Sequence, residues 1–137
     1  MEIVARSICT LRPGVPGMSE DIRVRSVLGR FLEHSRLFIF ESPGASAIFL
    51  GSADLMPRNL DNRVEVVVPV EDGRAQQEIV RAFDTLMADN SQAWDLAADG
   101  HWRRARPDQG ERLRPAQDVL MRKALARARR RLGSGSS

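Results

Sequence analysis

A histidine and an arginine two residues apart form the pattern in this sequence that best suits phosphate chemistry. Arg36 opens a strand predicted at 36–41, and His34 lies two residues before it. In a strand, side chains two residues apart point to the same side. An imidazole can attack or give a proton near neutral pH, and a guanidinium supplies a fixed positive charge for phosphoryl oxygens. The Gly51-Ser52 step ends the next predicted strand, where backbone and hydroxyl could approach the same anion. Together these residues predict a site for phosphoryl transfer.

The same residues also have a purely structural interpretation. His34 could be a partly buried histidine at a helix end, Arg36 a surface charge and Gly51-Ser52 a turn. The other histidine, His101, follows a turn glycine in a surface-like segment, and we expect it to be exposed. The choice between chemistry and structure at His34 therefore depends on the wider sequence.

Short β-rich runs surround the candidate site. Strands are predicted at 3–9, 36–41, 46–52 and 63–70, and the turn signal SPGA joins the second and third into a hairpin. The near-continuous apolar character of the last three indicates strands covered on both faces. A weaker alternation around a DG turn, in residues 93–107, predicts a small surface hairpin.

Helical spacing predicts an amphipathic helix after Gly73 and a last, basic helix that opens at Pro115. The apolar stripe of the last helix consists of Leu120, Ala124, Leu125, Ala128 and Leu132. A strand end leading into a short helix is predicted over 22–34, and a loop or single turn around Pro57. Strands alternating with helices indicate an α/β or α+β unit, with a mixed sheet flanked by helices.

Composition limits the class of protein. The 137 residues suffice for one compact unit and a tail, and the 42% hydrophobic and 28% charged residues are typical of a soluble globular protein. No apolar run reaches the length of a membrane helix and no signal peptide is evident, so a cytoplasmic location is expected. The single cysteine, Cys9, cannot form an internal disulfide, and no Cys/His cluster could hold a structural zinc.

The net charge of +3 conceals an uneven distribution. Residues 1–101 carry 10 basic and 15 acidic groups, a balance of −5, whereas residues 102–137 carry 11 and 3, a balance of +8. Lys123 is the only lysine, and every other basic residue is an arginine, whose planar fork suits phosphate and carboxylate. The C-terminal part therefore has the charge of a segment that attracts polyanions.

Longer stretches of the sequence resemble one enzyme family. The segments ICTLRPGVPGMSEDIRVRSVLGRFLEHSR, FLGSADLMPRNLDNRVEVVVPV and MADNSQAW agree closely with polyphosphate kinases, and the agreement covers roughly residues 3–106. The pattern from His34 to Asp54 is also similar to the phospholipase D signature, with arginine for lysine, Glu41 for aspartate and Asp54 for asparagine. The resemblance implies a phospholipase-D-like half-domain and reversible transfer of the ATP γ-phosphate to inorganic polyphosphate.

The resemblance also implies roles for particular residues. It makes His34 the histidine of a second half-site, which contacts ATP and stabilises the transferring phosphoryl group or serves as a general acid or base. Arg6 corresponds to an ATP-contacting arginine, although the family commonly reads IVRGIC where this chain reads VARSIC. Arg36, Ser52 and Arg58 are candidates for phosphate or polyphosphate binding, and His34 with Arg36 for catalysis. Further arginines that could guide polyphosphate are Arg12, Arg23, Arg25, Arg30 and Arg63.

Other parts of such a centre are implied to lie upstream of this segment. These are the phosphohistidine, an aromatic residue that stacks on adenine, and arginines near magnesium. Mg²⁺ is thus an implied cofactor whose ligands are not in this chain, and no metal ligand is predicted here. We expect ATP or ADP and polyphosphate as partners, with the upstream part of the enzyme or a second copy of the chain completing the site. A homo-oligomer is therefore predicted.

Two other function classes stay open. A homodimeric phosphodiesterase or nuclease of the phospholipase D type would place two copies of His34 face to face. A non-catalytic module would bind polyphosphate or RNA nonspecifically through the basic C-terminal helix. The predicted boundaries are 1–106 for the catalytic domain, 107–132 for the basic helix and 133–137 for a flexible tail.

Overall fold

The structure is a computed structural model that describes residues 1–6 and 9–134. Its elements in chain order are β1 (Glu2–Val4), β2 (Arg23–Val27), β3 (Leu37–Ser42), β4 (Ala45–Gly51), α1 (Pro57–Asn62), β5 (Val67–Pro69), α2 (Gly73–Met87), β6 (Ala93–Leu96), β7 (Trp102–Arg104) and α3 (Ala116–Ser134). The chain divides into two compact units, one made of Met1–Leu32 and Ala82–Ser137 and the other of Glu33–Arg81. The predicted α+β class is confirmed.

The first unit is built on a mixed sheet in the order β1-β2-β6-β7. Strands β1 and β2 are parallel, whereas β2 with β6 and β6 with β7 are antiparallel. The β6–β7 pair is the hairpin predicted from the DG turn, with Trp94 opposite Arg104 and Gly100 at a φ of 85°. Glycine adopts this left-handed backbone without the steric cost of a Cβ atom, which explains the DG signal.

The core of the first unit is small. Its buried cluster consists of Val27, Leu86, Ala93 and Ala116, with Val4, Ala105 and Leu120 packed against it. Strand β2, the end of α2, strand β6 and the start of α3 therefore meet at one place. Because two of the four buried members are alanines, apolar burial there is limited and polar contacts must help to fix the elements.

Asp89, in the loop after α2, provides such contacts. Only 1% of this residue is exposed. Its Oδ1 accepts the backbone N–H groups of Ser91, Gln92 and Ala93 at 2.8, 2.6 and 3.2 Å. Its Oδ2 accepts the N–H of Ala116 at 2.7 Å, which is the first residue of α3. One carboxylate thus closes the loop and caps a helix that begins 27 residues later in the chain.

Arg25, on β2, is also part of this scaffold. Its Nε and Nη2 donate to the two carboxylate oxygens of Asp95 at 2.8 and 3.0 Å. Its Nη1 donates to the carbonyl oxygens of Met87 and Asp89. Only 8% of Arg25 is exposed, so its guanidinium is committed to the fold and is not presented to a polyanion.

The segment before the second unit is extended, not helical. The short helix predicted within 22–34 is wrong, because no residue after β2 in that range is helical. The side chain of Gln117 donates to the Phe31 carbonyl at 2.6 Å and accepts the Phe31 N–H at 2.8 Å, which pairs this backbone as a neighbouring strand would. A Cβ atom on Gly29 would lie 2.4 Å from Gln117 Oε1, so any side chain at position 29 would displace the Gln117 amide.

The second unit contains a three-stranded antiparallel sheet in the order β3-β4-β5. The predicted hairpin of β3 and β4 is confirmed, and Gly44 occupies its turn at a φ of 80°. The segment around Pro57, predicted as a loop or single turn, is the six-residue helix α1 with Pro57 in its first turn.

This sheet has large apolar side chains in solvent, so the prediction that its strands are covered on both faces is wrong for the described residues. Phe40 on β3 is 60% exposed and Val67 on β5 is 55% exposed. Val64, just before β5, is 99% exposed. The strand predicted at 63–70 pairs only over Val67–Pro69, where Val67 lies opposite Gly51 and Pro69 opposite Phe49.

Near the two ends of the chain, the predicted elements extend beyond the described residues. Strand β1 ends at Val4, whereas a strand was predicted over 3–9, and Ser7 and Ile8 lie outside the described residues. Helix α3 begins after Pro115, as predicted, and continues to Ser134, so residues 107–115 of the segment predicted as the basic helix are not helical, and residues 133–134 of the predicted tail are. Residues 135–137 of the predicted flexible tail are not among the described residues.

Candidate functional site

His34 and Arg36 are in direct contact in the second unit. Both residues precede β3, yet the structure brings their side chains together as the spacing predicted. The Arg36 Nη1 atom lies 2.9 Å from His34 Nδ1 and donates to the His34 carbonyl oxygen at 2.6 Å. A guanidinium has donors only, so His34 Nδ1 must accept, and the proton of the neutral imidazole is on Nε2. The exposed ring therefore presents Nε2–H as a donor.

Asp54 holds the other side of the Arg36 guanidinium. Arg36 Nε and Nη2 both donate to Asp54 Oδ1, at 3.1 and 2.9 Å. Asp54 Oδ2 lies 3.7 Å from Arg58 Nη2, one helical turn further along the chain. The Asp54 and Arg36 side chains are about one third and one fifth exposed, respectively, which limits screening by water. His34, Arg36, Asp54 and Arg58 form one continuous polar cluster, called here the histidine cluster.

Ser52 belongs to a second network. Its hydroxyl donates to Glu65 Oε2 and accepts the Val66 N–H at 3.0 Å. The buried Asn59, on α1, donates through Nδ2 to Glu65 Oε1 at 2.9 Å. These hydrogen bonds, that from Ser52 first and that from Asn59 second, lower the pKa of Glu65, and the charge of Arg63 acts in the same direction. Glu65 is thus held as an anion that orients the Ser52 hydroxyl.

Sequence reasoning selected Ser52 but missed Glu65 and Asn59. The one available signal was a charged residue inside the apolar run RVEVVVPV, where a glutamate is costly unless it has partners. The acidic residue of the signature, Glu41, lies opposite Ser46 on the β3–β4 hairpin. Among the described residues no hydrogen bond joins Glu41 to the histidine cluster, whose acid is Asp54.

The remaining predicted residues lie in the first unit. Arg6 follows β1 and is exposed. His101 is also exposed, as predicted, and its Nδ1 lies 3.5 Å from an oxygen of Asp99. Arg12 donates to the carbonyl of Ala98 at 3.1 Å, and Arg23 pairs with Glu2 at 3.0 Å.

The described residues contain neither a metal-ligand cluster nor a membrane-spanning helix. Within residues 1–6 and 9–134, no three His, Cys, Asp or Glu side chains gather so that they could hold a metal ion. The described residues therefore do not fit a resident Mg²⁺. No described helix is long and apolar enough to cross a membrane.

Comparisons with known proteins agree on one family. Residues 1–117 match the family model described as polyphosphate kinase C-terminal domain 2. The chain is 47% identical over 125 residues to a polyphosphate kinase of Thermosynechococcus vestitus, which covers 91% of this chain and 17% of that protein. It is 49% identical over 132 residues to a polyphosphate kinase of Streptomyces coelicolor, which covers 96% of this chain and 17% of that protein.

A solved structure gives the same result. The crystal structure of a polyphosphate kinase from Porphyromonas gingivalis superposes with a TM-score of 0.85 at 32% sequence identity. The match covers 92% of this chain and 19% of the other. This chain therefore spans less than one fifth of the length of the proteins that it matches.

Proposed function

This chain belongs to the polyphosphate kinase C-terminal domain 2 family, and we propose that it serves in the reversible transfer of the ATP γ-phosphate to inorganic polyphosphate. In this proposal it supplies the second, phospholipase-D-like histidine half-site. The observation that carries the proposal is the contact of Arg36 with both His34 Nδ1 and Asp54. This contact holds the His34 imidazole in one tautomer, beside the positive charge of Arg36.

His34 would act as a neutral donor toward the transferring phosphoryl group. With Nδ1 occupied by Arg36, the Nε2–H is directed away from that contact and can donate to a non-bridging oxygen. In a loose transition state charge is spread over these oxygens and develops on the leaving oxygen, and a preset donor meets it with little reorganisation. Loss of the Nε2 proton would leave an imidazolate, so His34 in this tautomer would act through its hydrogen bond, which serves either direction of a reversible reaction equally.

Arg36, Arg58 and Ser52 would bind the phosphates. Arg58 is 69% exposed and its 3.7 Å pairing with Asp54 is long, so a phosphate can compete for it. Arg36 would contribute charge while it remains anchored to Asp54. The Ser52 hydroxyl hydrogen is directed to Glu65, so a phosphate oxygen would have to replace the carboxylate as its acceptor. Arg6 is proposed as an ATP contact on the strength of the resemblance.

The rest of the centre is proposed to come from outside these residues. The phosphohistidine and the ligands of Mg²⁺ would belong to the upstream part of the enzyme, whereas a second copy of the chain would supply only another His34 half-site. A homo-oligomer, a cytoplasmic location and nonspecific RNA binding through the basic helix stay proposals of the same kind.

A chimeric enzyme tests the proposed function. This chain would replace the matching segment of the Thermosynechococcus polyphosphate kinase, to which it is 47% identical, and ATP formation from ADP and polyphosphate would be measured with Mg²⁺. We expect an active chimera that loses at least about a hundredfold in kcat with His34→Ala. The matched control is His101→Ala, which removes the other, exposed histidine and should leave kcat unchanged.

Two outcomes would contradict the proposal. One is a His34→Ala chimera as active as its parent. The other is hydrolysis of a phosphodiester by the purified chain, dependent on His34 and independent of metal, which would favour the phosphodiesterase alternative.

A further inference from the structure

The second half of α3 carries a dense positive charge. Ala116–Ser134 contains six basic residues and one acidic residue, Asp118, a balance of +5. The side chains of residues 122–133 are exposed. The family model ends at residue 117, so nearly all of this helix lies beyond the part of the chain that defines the family.

The positive charges are gathered on one side of the helix. At 3.6 residues per turn, the basic positions fall within an arc of about 200°. These positions are Arg122, Lys123, Arg127, Arg129, Arg130 and Arg131. The opposite side carries Met121, Ala124, Leu125, Ala128 and Leu132. Asp118 lies on that opposite side, so it does not interrupt the basic arc. The six basic positions are called here the arginine face.

The start of α3 is fixed, so the arginine face is held at a defined place in the first unit. Asp89 caps the helix at Ala116, and Gln117 is bonded to the backbone of Phe31. Lys123 Nζ lies 3.4 Å from Thr85 Oγ1 on α2. A ligand on the arginine face is therefore held by the folded unit and not by a loose tail.

We propose that the arginine face binds inorganic polyphosphate, as a docking surface separate from the histidine cluster. The inference rests on the proposed function, which makes polyphosphate the substrate. Charge complementarity supports it: this one helix carries a balance of +5, whereas residues 1–101 together carry −5. Ala116–Ser134 contains no aromatic residue on which a base could stack, so the chemistry of the face fits a polyanion without bases.

Such a surface would keep a long polyphosphate polymer bound between successive phosphoryl transfers. Contacts of this kind are electrostatic and independent of position along the polymer, so polyphosphate can slide while it stays bound.

The test compares two triple variants of the 137-residue chain that lose the same charge. The first is R122Q/R129Q/R130Q on the arginine face, and the control is R74Q/R106Q/R112Q, three exposed arginines elsewhere. Binding of end-labelled inorganic polyphosphate is followed by fluorescence anisotropy at low and at moderate salt, and circular dichroism verifies the fold. We expect about tenfold weaker binding and a flatter salt dependence for the first variant, and less than about twofold for the control.

Each other outcome would overturn the inference. Equal weakening in both variants would show an effect of net charge, not of a surface. Tighter binding of a single-stranded RNA with the same number of phosphates would assign the face to nucleic acid. Absence of polyphosphate binding by the parent chain would refute the proposed role of the arginine face.

The proposed function is tested by a different measurement from the arginine face. His34→Ala leaves the arginine face intact, and its effect is measured as kcat of the chimera. The arginine face is tested by the affinity of the 137-residue chain for polyphosphate.

Discussion

The Nη1 atom of Arg36 lies 2.9 Å from Nδ1 of His34, and this contact sets which imidazole nitrogen carries the proton. Because the chain contains two histidines, nitrogen-15 NMR of histidine-labelled protein has only two side chains to assign. In alkaline buffer near pH 9, where imidazoles are neutral, we expect His34 to carry its proton on Nε2. Arg36→Met, which removes the donor, should restore a mixture of tautomers. His101, in the same spectrum, should be unchanged, and a proton on His34 Nδ1 in the parent chain would disprove the assignment.

Asp54 should affect the rate through Arg36. Its Oδ1 accepts two of the Arg36 hydrogen bonds, so Asp54→Asn leaves the guanidinium less firmly placed beside His34. In the chimeric kinase we expect kcat to fall by about tenfold with a smaller change in KM, since binding of ATP needs less accurate placement than transfer. Asp61→Asn, on the exposed side of α1, is the matched control. An equal loss with Asp61→Asn would show that lost negative charge, not placement of Arg36, is responsible.

Glu65 should make stability depend on pH in the acid range. Its pKa is lowered in the folded chain, chiefly by the hydrogen bond from Ser52, relative to an ordinary value of 4.5. The stabilisation is therefore complete above pH 4.5 and is lost as pH falls through the lowered pKa of the folded state. Glu65→Gln should lose less stability than the parent between about pH 7 and pH 3 in urea unfolding. Glu41→Gln, an exposed carboxylate on β3, should follow the parent curve, and identical curves for parent and Glu65→Gln would refute the prediction.

Asp89 should be among the most sensitive positions for folding. Asp89→Ala leaves the N–H groups of Gln92, Ala93 and Ala116 without their acceptor in a buried place, and we expect a loss of about 3 kcal/mol in the free energy of unfolding. The control Asp108→Ala removes an exposed carboxylate and should cost less than about 0.5 kcal/mol. Equal values in denaturant titration would mean that water replaces the carboxylate at little cost.

Gly29→Ala should disrupt the Gln117 contact with Phe31. The new Cβ atom would lie 2.4 Å from Gln117 Oε1, which must then leave the Phe31 N–H. We expect destabilisation of about 2 kcal/mol. A double variant with Gln117→Ala should cost less than the sum of the two single changes, because both remove the same hydrogen bonds. Gly73→Ala meets no atom within 4 Å and is the control; strict additivity in the cycle would contradict the explanation.

The sequence predicted the elements that depend on local signals. The apolar period of α2, the DG turn between β6 and β7, and Pro115 before α3 each act within a few residues. The helix predicted around Phe31 failed because Gln117, 86 positions away, holds that backbone extended. Periodicity cannot report a contact of that separation.

The same distinction applies to the candidate site. Strand alternation predicts that His34 and Arg36 point to the same side; the structure does bring them together, although both lie before β3. The carboxylates that orient Arg36 and Ser52 could not be predicted from spacing. Asp54 is 18 positions from Arg36, and Glu65 is 13 positions from Ser52. Both contacts require the β3–β4–β5 pairing to be known first.

The open side of β5 has a consequence for handling the protein. A valine-rich outer strand with one neighbour offers unpaired N–H and C=O groups to any extended chain, which is how edge-to-edge aggregation begins. Two features oppose it: the strand is three residues long, and Pro69 has no N–H to give to a newcomer. Replacing Pro69 with valine would remove that protection, so the soluble yield on refolding should become more dependent on protein concentration.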